Sequence, residues 1–122
     1  MTVEAIEERF EKVCETVPIV DTHNDFPYLL RAQLHNELRN NKGAFDFDSW
    51  LTSQTDLKKM KQGRMGIQFF SVWVECKDPD YLYSDFNKAN SAVRDTLEQI
   101  DVTKRLVCEY SKSLKFVTTA DE

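Results

Sequence analysis

The chain has 122 residues, of which 41% are hydrophobic and 30% are charged, and this length and composition suit one ordinary folded domain. Its formal net charge of -5, without a lysine and arginine cluster interleaved with aromatic residues, argues against a nucleic-acid surface. Residues 1–17 are acidic and contain no continuous apolar run, so they predict neither a signal peptide nor a membrane span. We therefore expect a cytoplasmic chain without membrane association.

The three cysteines are odd in number and widely spaced, which suits a reducing compartment better than a disulfide framework. No Cys-x-x-Cys motif is present. Cys14, Cys76 and Cys108 are therefore predicted to be small buried or half-buried hydrophobic residues.

Apolar residues recur at helical spacing from Val3 to Val17, which predicts an amphipathic helix over 3–15 that leads into an apolar strand over 18–22. The run 17–25 turns polar at its end, where His23 and Asp25 stand two residues apart. Strand side chains alternate faces, so both are predicted to project from one side of the strand. An imidazole and a carboxylate together resemble half of a metal site, because a hydrolytic zinc commonly has three protein ligands and a water.

On its own, a His-x-Asp pair is more often a pair of surface polar residues than a metal site. Its position after an apolar strand favours the metal interpretation, because α/β enzymes place their chemistry at the carboxyl ends of parallel strands. Asp21 is a candidate to orient the His23 ring from behind, or else a buried polar group at the strand end. Gln68 is a candidate to line the pocket or to support a metal ligand, or else a side chain hydrogen-bonded inside the fold. The only other histidine, His35, is predicted to be exposed or at a helix edge.

The next segment predicts a helix that begins near Pro27, follows the stripe Leu30, Leu34 and Leu38 towards residue 40, and stops before Gly43. Residues 44–53 are irregular, and their aromatic side chains are predicted to cap a core or line a pocket. A short helix over 55–62 precedes a second strand over 65–74. That strand is apolar on both faces, which indicates a covered parallel sheet.

A long helix is predicted from Ser84 to about residue 113, with an apolar stripe that packs on the sheet. The stripe consists of Phe86, Ala89, Val93, Leu97, Ile100 and Val107. Residues 114–118 read as a third strand, and Thr119 with Glu122 fits a capping box that opens a further helix. These are the opening units of a βα-repeat fold, whose closed (β/α)8 TIM-barrel form needs ~250 residues. The fold class is therefore α/β, truncated after about three strands.

Four stretches of the sequence resemble the N-terminal part of the membrane dipeptidase (renal dipeptidase) family of metallopeptidases. Residues 20–25 are similar to the first-strand metal motif of that family, and residues 56–63 to the short helix before its second strand. Residues 66–76 look like that second strand, and residues 96–101 resemble the following helix. The similarity covers nearly the whole chain in the right order.

The resemblance implies that residues 1–122 are the N-terminal segment of a single barrel domain of a zinc-dependent dipeptidase with two zinc ions. It implies that His23 and Asp25 bind one zinc, and that a bridging glutamate and two further histidines follow residue 122. The isolated chain is then expected to be inactive. The implied substrate is a dipeptide, and the resemblance leaves open a homodimer of the full-length protein, as well as an extracellular or membrane-anchored location like that of some relatives.

Two alternatives remain open at this point. The first alternative to a dipeptidase is a non-catalytic α/β fragment that binds a partner through its open sheet edge and aromatic segment 45–50. The second is a mononuclear metal-binding module that uses His23, Asp25 and a distant carboxylate.

Overall fold

A computed structural model describes residues 2–39, 45–50, 52–75 and 91–121. Within them the elements are α1 (Val3–Thr16), β1 (Ile19–Asn24), α2 (Phe26–Leu34), α3 (Leu57–Gln62), β2 (Met65–Phe70) and α4 (Ser91–Glu109). The chain divides into two compact units. The first comprises Met1–Asn24 and Asp46–Phe69, and the second comprises Asp25–Phe45 and Phe70–Glu122.

The first unit is built on β1 and β2, which form a two-stranded parallel sheet. The strands approach closely at one end, where a Cβ atom added to Gly66 would lie 2.4 Å from the Cβ atom of Pro18. Only glycine fits there without displacing its neighbour. The core of this unit contains Phe47, Trp50 and Leu57, so two aromatic residues of the irregular segment are core residues.

Helix α1 begins at a threonine cap, because the side chain of Thr2 accepts a hydrogen bond from the Ala5 N–H at 3.4 Å. The predicted helix over 3–15 is confirmed, but α1 buries none of its residues. Its apolar stripe is exposed, with Val3 71% and Phe10 50% accessible. The sequence pattern thus defines an apolar face that nothing in the described part of the chain covers.

The second unit is a pair of packed helices, α2 and α4. Pro27 occupies the first turn of α2, where its missing N–H costs nothing. The helix ends at Leu34, because the next residue, His35, adopts a left-handed conformation with φ 50°. The apolar core of this unit consists of Phe26, Leu30, Leu34, Leu38, Phe45, Val102 and Leu106. Leu38 is buried but lies beyond the helix, so the prediction that this helix continues towards residue 40 is wrong.

The prediction that α4 buries its apolar stripe is wrong for the stripe residues nearest the start of the helix. Val93 and Leu97 are each 60% exposed. The helix buries a different face, formed by Asp95, Gln99, Val102 and Leu106. Packing against α2 selects this face, because Arg31 of α2 pairs with Asp95 at 2.7 Å and compensates the buried carboxylate.

Two strand predictions also need correction. β2 ends at Phe70, and its residue Phe69 is 58% exposed, so the strand is not covered on both faces. Residues 114–118 are described and form no strand. A strand forms only when a neighbour supplies ladder partners, and apolar character alone does not supply one.

Some predictions fall outside the described residues. They are the helix start at Ser84, the stripe residues Phe86 and Ala89, Cys76, and the helix end near Gly43. The capping-box glutamate Glu122 lies outside them too. Cys14 is half-buried as expected, whereas Cys108 is exposed, contrary to expectation, because it lies on the solvent side of α4. Among the described residues, no helix is long and apolar enough to cross a membrane.

Candidate functional site

The sequence motif separates into two structural positions. His23 is the fifth residue of β1 and is exposed, in the first unit. Asp25 lies after the strand and is the N-cap residue of α2, in the second unit. Strand alternation therefore applies to His23, whereas Asp25 lies one residue beyond the strand, and the projection of both side chains from one side stays a prediction. The main chain at Asp25 has φ -81° and ψ 26°, which is not an extended conformation.

Asp25 is exposed, and its carboxylate does not cap α2. Its backbone carbonyl serves the helix instead, accepting the N–H groups of Tyr28 at 3.1 Å and Leu29 at 3.3 Å. An N-cap aspartate commonly spends its carboxylate on the first turn of the helix. The carboxylate of Asp25 accepts no such hydrogen bond from α2.

Asp21 supports the main chain at His23. Its Oδ1 atom accepts the backbone N–H of His23 at 3.0 Å. This hydrogen bond is the largest cause that holds the pKa of Asp21 below its usual value of 3.8, and a hydrogen bond with Gln68 acts in the same direction. The hydrogen bond from the His23 N–H to Asp21 fixes the main chain from which the His23 side chain projects.

A small polar network joins the carboxyl end of β1 to its surroundings in the first unit. The side-chain amide of Asn24 donates to Thr55 Oγ1 at 2.9 Å and to Gln68 Oε1 at 3.2 Å. Gln68 in turn donates through Nε2 to the carbonyls of Asp21 at 3.4 Å and Phe69 at 3.3 Å. The hydrogen-bonded interpretation of Gln68 is thus the one that the structure supports.

Asn24 and Thr55 are the members of this network that sequence reasoning missed. Asn24 stands inside the motif, and a polar side chain at the last position of an apolar strand was the available signal. Thr55 gave none, because it lies 31 residues away and becomes a neighbour only through the fold. Together these contacts hold the main chain on both sides of His23.

Aromatic residues of the second unit follow the two strands in sequence. Phe26 comes two residues after the end of β1, and its ring lies 5.8 Å from that of Phe70. Tyr28 and Trp73 meet edge to face, with ring centroids 4.7 Å apart and an interplanar angle of 89°. Both are partly exposed, at 37% and 41%. In parallel α/β folds the segments that follow strand ends carry the binding residues.

The side chains of His23 and Asp25 are of the ligand types that zinc binds. Imidazole nitrogen and carboxylate oxygen are ordinary zinc ligands, and both side chains are exposed rather than consumed by the core. The number of donors is small. Among the residues that the structure describes, no group of three or more histidine, cysteine, aspartate or glutamate side chains is arranged to hold a metal. His35 lies at the end of α2 and is exposed, as predicted.

Comparison with known proteins gives a consistent result. A family model described as membrane dipeptidase, peptidase family M19, matches residues 7–122. The chain is 59% identical over 119 residues, 98% of its length, to an uncharacterized dipeptidase of Schizosaccharomyces pombe. It is 33% identical over 113 residues, 91% of its length, to dipeptidase verJ of Clonostachys rogersoniana. The chain spans 28% of the length of each of these relatives.

Proposed function

The chain belongs to the membrane dipeptidase family of peptidases, and we propose that it forms the N-terminal segment of a (β/α)8 barrel that hydrolyses dipeptides. The observation that carries this proposal is the match over residues 7–122, which includes the His23-Asn24-Asp25 motif at the end of β1. The parallel pairing of β1 with β2 supports it, because a TIM barrel is a parallel sheet closed on itself.

Members of this family are generally zinc-dependent. We propose that His23 and Asp25 are ligands of one zinc ion, which, when bound, supplies an activated water and polarises the scissile carbonyl. The contribution of the chain itself is to present the ligands. Asp21, Asn24 and Gln68 hold the main chain around His23, so that the imidazole is offered from a fixed strand end.

On this proposal the 122-residue chain alone is inactive, since a catalytic zinc commonly has three protein ligands and the described residues offer no such group. The remaining ligands are expected in the part of the barrel that follows residue 122. Dipeptide hydrolysis by the purified 122-residue chain, abolished by a chelator, would contradict this expectation.

A chimera tests the proposed function directly. Residues 1–122 replace the matched segment of the fission-yeast relative, and the unmodified relative serves as the positive control. We expect zinc-dependent hydrolysis of dipeptides. His23→Asn and Asp25→Asn should each lower kcat/KM by about 100-fold or more, since even the outer partners of metal ligands contribute 10- to 100-fold.

The second histidine provides a matched control. His35→Asn makes the same chemical change at an exposed position whose left-handed backbone asparagine tolerates. It should leave zinc content and turnover unchanged. Both histidine variants should keep the melting temperature, because neither side chain lies in the core. A His23→Asn chimera that retains full zinc content and turnover would disprove the ligand assignment.

An interaction fragment is the second candidate function, and the exposed apolar face of α1 favours it. Val3, Ile6, Phe10 and Val13 are each at least 50% exposed on one helix. Such faces on monomeric proteins commonly mark contact surfaces. An inactive chimera whose unmodified parent is active, together with a native 122-residue product in cells, would favour this function over the enzyme.

A further inference from the structure

Gln99 is a buried polar residue that belongs neither to the metal motif nor to the apolar core. It lies in the middle of α4 and is 1% exposed. Its side-chain Nε2 donates to the carbonyl of Trp73 at 2.7 Å, and its Oε1 accepts the N–H of the same residue at 3.2 Å. One side-chain amide therefore satisfies both polar groups of one backbone residue.

This pairing has the form of a β-ladder contact, with a side-chain amide in place of a neighbouring strand. Trp73 lies three residues after the end of β2, where the ladder has stopped. Two hydrogen bonds in opposite directions fix the orientation of the Trp73 main chain as well as its distance from α4. An apolar side chain of similar size at position 99 would leave both backbone groups without these partners.

The indole ring of Trp73 is then set against Tyr28, which α2 carries three residues after Asp25. The edge-to-face contact at 4.7 Å fixes the ring once the main chain is fixed. Helices α2 and α4 are themselves joined by Arg31, which pairs with Asp95 at 2.7 Å and with Glu98 at 2.9 Å. Trp73 is thus held by two helices that an ion-pair network connects.

We propose that Gln99 is a positioning residue of the dipeptidase site, which sets the main chain of Trp73 and through it the Tyr28–Trp73 aromatic pair. The inference rests on the proposed function, because it takes the segments that follow β1 and β2 to border the substrate. In a (β/α)8 barrel the residues that follow strand ends form the active-site face. Gln99 acts from the helix behind that face and is not itself a catalytic residue.

The pairing is tested on the 122-residue chain by near-ultraviolet circular dichroism. The difference between the wild-type spectrum and that of Trp73→Phe defines the contribution of Trp73, apart from the buried Trp50. Gln99→Met should lose most of this contribution while the far-ultraviolet spectrum is preserved. The matched control is Gln33→Met, which makes the same change at an exposed position of α2 and should retain the signal.

A second variant covers the case in which Gln99→Met does not fold. Gln99→Glu keeps an acceptor for the Trp73 N–H but, at neutral pH, has no donor for the Trp73 carbonyl. It should also lose most of the Trp73 signal. A folded Gln99 variant of either kind that keeps the full Trp73 contribution would overturn the pairing and the proposal.

The functional arm uses the chimera described above, with wild-type Gln99, Gln99→Glu, Gln99→Met and Gln33→Met. We expect the two Gln99 variants to raise KM for dipeptides about tenfold with little change in kcat or zinc content, because the substrate surface moves while the ligands stay. Unchanged KM in an active chimera would overturn the positioning role alone. Absence of activity with wild-type Gln99 would overturn the proposed function, and the positioning role with it, whatever the spectra show.

Discussion

Asp56 holds the segment before α3 through one nearly inaccessible carboxylate, and its replacement should be among the most damaging polar substitutions in the first unit. Its side chain is 3% exposed. It caps α3 by accepting the Lys59 N–H at 2.8 Å, and it also accepts the Trp50 N–H at 3.1 Å. The ammonium group of Lys59 pairs with it at 2.9 Å. The same ammonium donates to the carbonyls of Trp50 and Ser53.

The cost of Asp56→Ala follows from these contacts. Loss of a helix N-cap costs about 1 kcal/mol. The Trp50 N–H is left buried without its acceptor, which costs a further 1–3 kcal/mol, approximately. We therefore expect the free energy of unfolding to fall by about 3 kcal/mol. Asp56→Asn loses the charge and one of the two acceptor oxygens, because Oδ1 accepts the Lys59 N–H and Oδ2 accepts the Trp50 N–H, so about 2 kcal/mol is expected for it.

The contribution of the charge depends on pH. Burial alone would raise the pKa of Asp56, but the hydrogen bonds and ion pair from Lys59, with the Trp50 N–H, outweigh it and hold the pKa below 3.8. The unfolded chain therefore binds this proton more readily than the folded chain. The stabilisation is complete above about pH 4 and is lost as the pH falls through the folded-state pKa.

Urea denaturation followed by far-ultraviolet circular dichroism, repeated from pH 7 to pH 3, measures both effects. The stability difference between wild type and Asp56→Asn should shrink below about pH 4. Asp46→Ala is the matched control, since Asp46 is exposed and its carboxylate accepts the Asp48 N–H at 3.0 Å. A loss below about 1 kcal/mol for Asp56→Ala would refute the reasoning, as would a gap that does not change with pH.

Five further substitutions test the packing within each unit by the same urea assay. Arg31→Met and Asp95→Asn should each lower the free energy of unfolding by about 2 kcal/mol, which lies between the values for exposed and buried ion pairs. A double-mutant cycle of the two should give a coupling energy of about 1–2 kcal/mol. Gly66→Ala should cost about 1–3 kcal/mol, because its new Cβ atom would lie 2.4 Å from that of a proline. Phe47→Ala should cost about 3–5 kcal/mol from full burial, and Phe69→Ala, 58% exposed, less than about 1 kcal/mol.

Each of these expectations has an outcome that contradicts it. Additive effects of the two charge substitutions would show that Arg31 and Asp95 do not interact. An alanine at position 66 that leaves the urea midpoint unchanged would show that the strands are further apart there. Equal losses for the two phenylalanine substitutions would contradict the burial difference between them.

Local chemistry in the sequence determined the positions of several elements. Pro27 marked the start of α2, and the predicted helix starts at residues 3 and 55 lie close to the observed caps Thr2 and Asp56, because an N-cap side chain or a first-turn proline acts within one helical turn. The apolar run before His23 predicted β1, because a short apolar run that ends in polar residues is also a local signal. The motif around His23, with three other stretches, also indicated the family, and the family match confirms that resemblance.

Tertiary structure alone decided which faces are covered. The apolar stripe of α4 predicted burial of Val93 and Leu97, yet the helix buries Asp95 and Gln99, because Arg31 and the Trp73 main chain provide their partners. Residues 114–118 have the composition of a strand but do not form one. Periodicity reports that a face is apolar, whereas burial depends on which distant residues arrive to cover it. The pairing of Gln99 with a residue 26 positions away had no signal in the sequence for that reason.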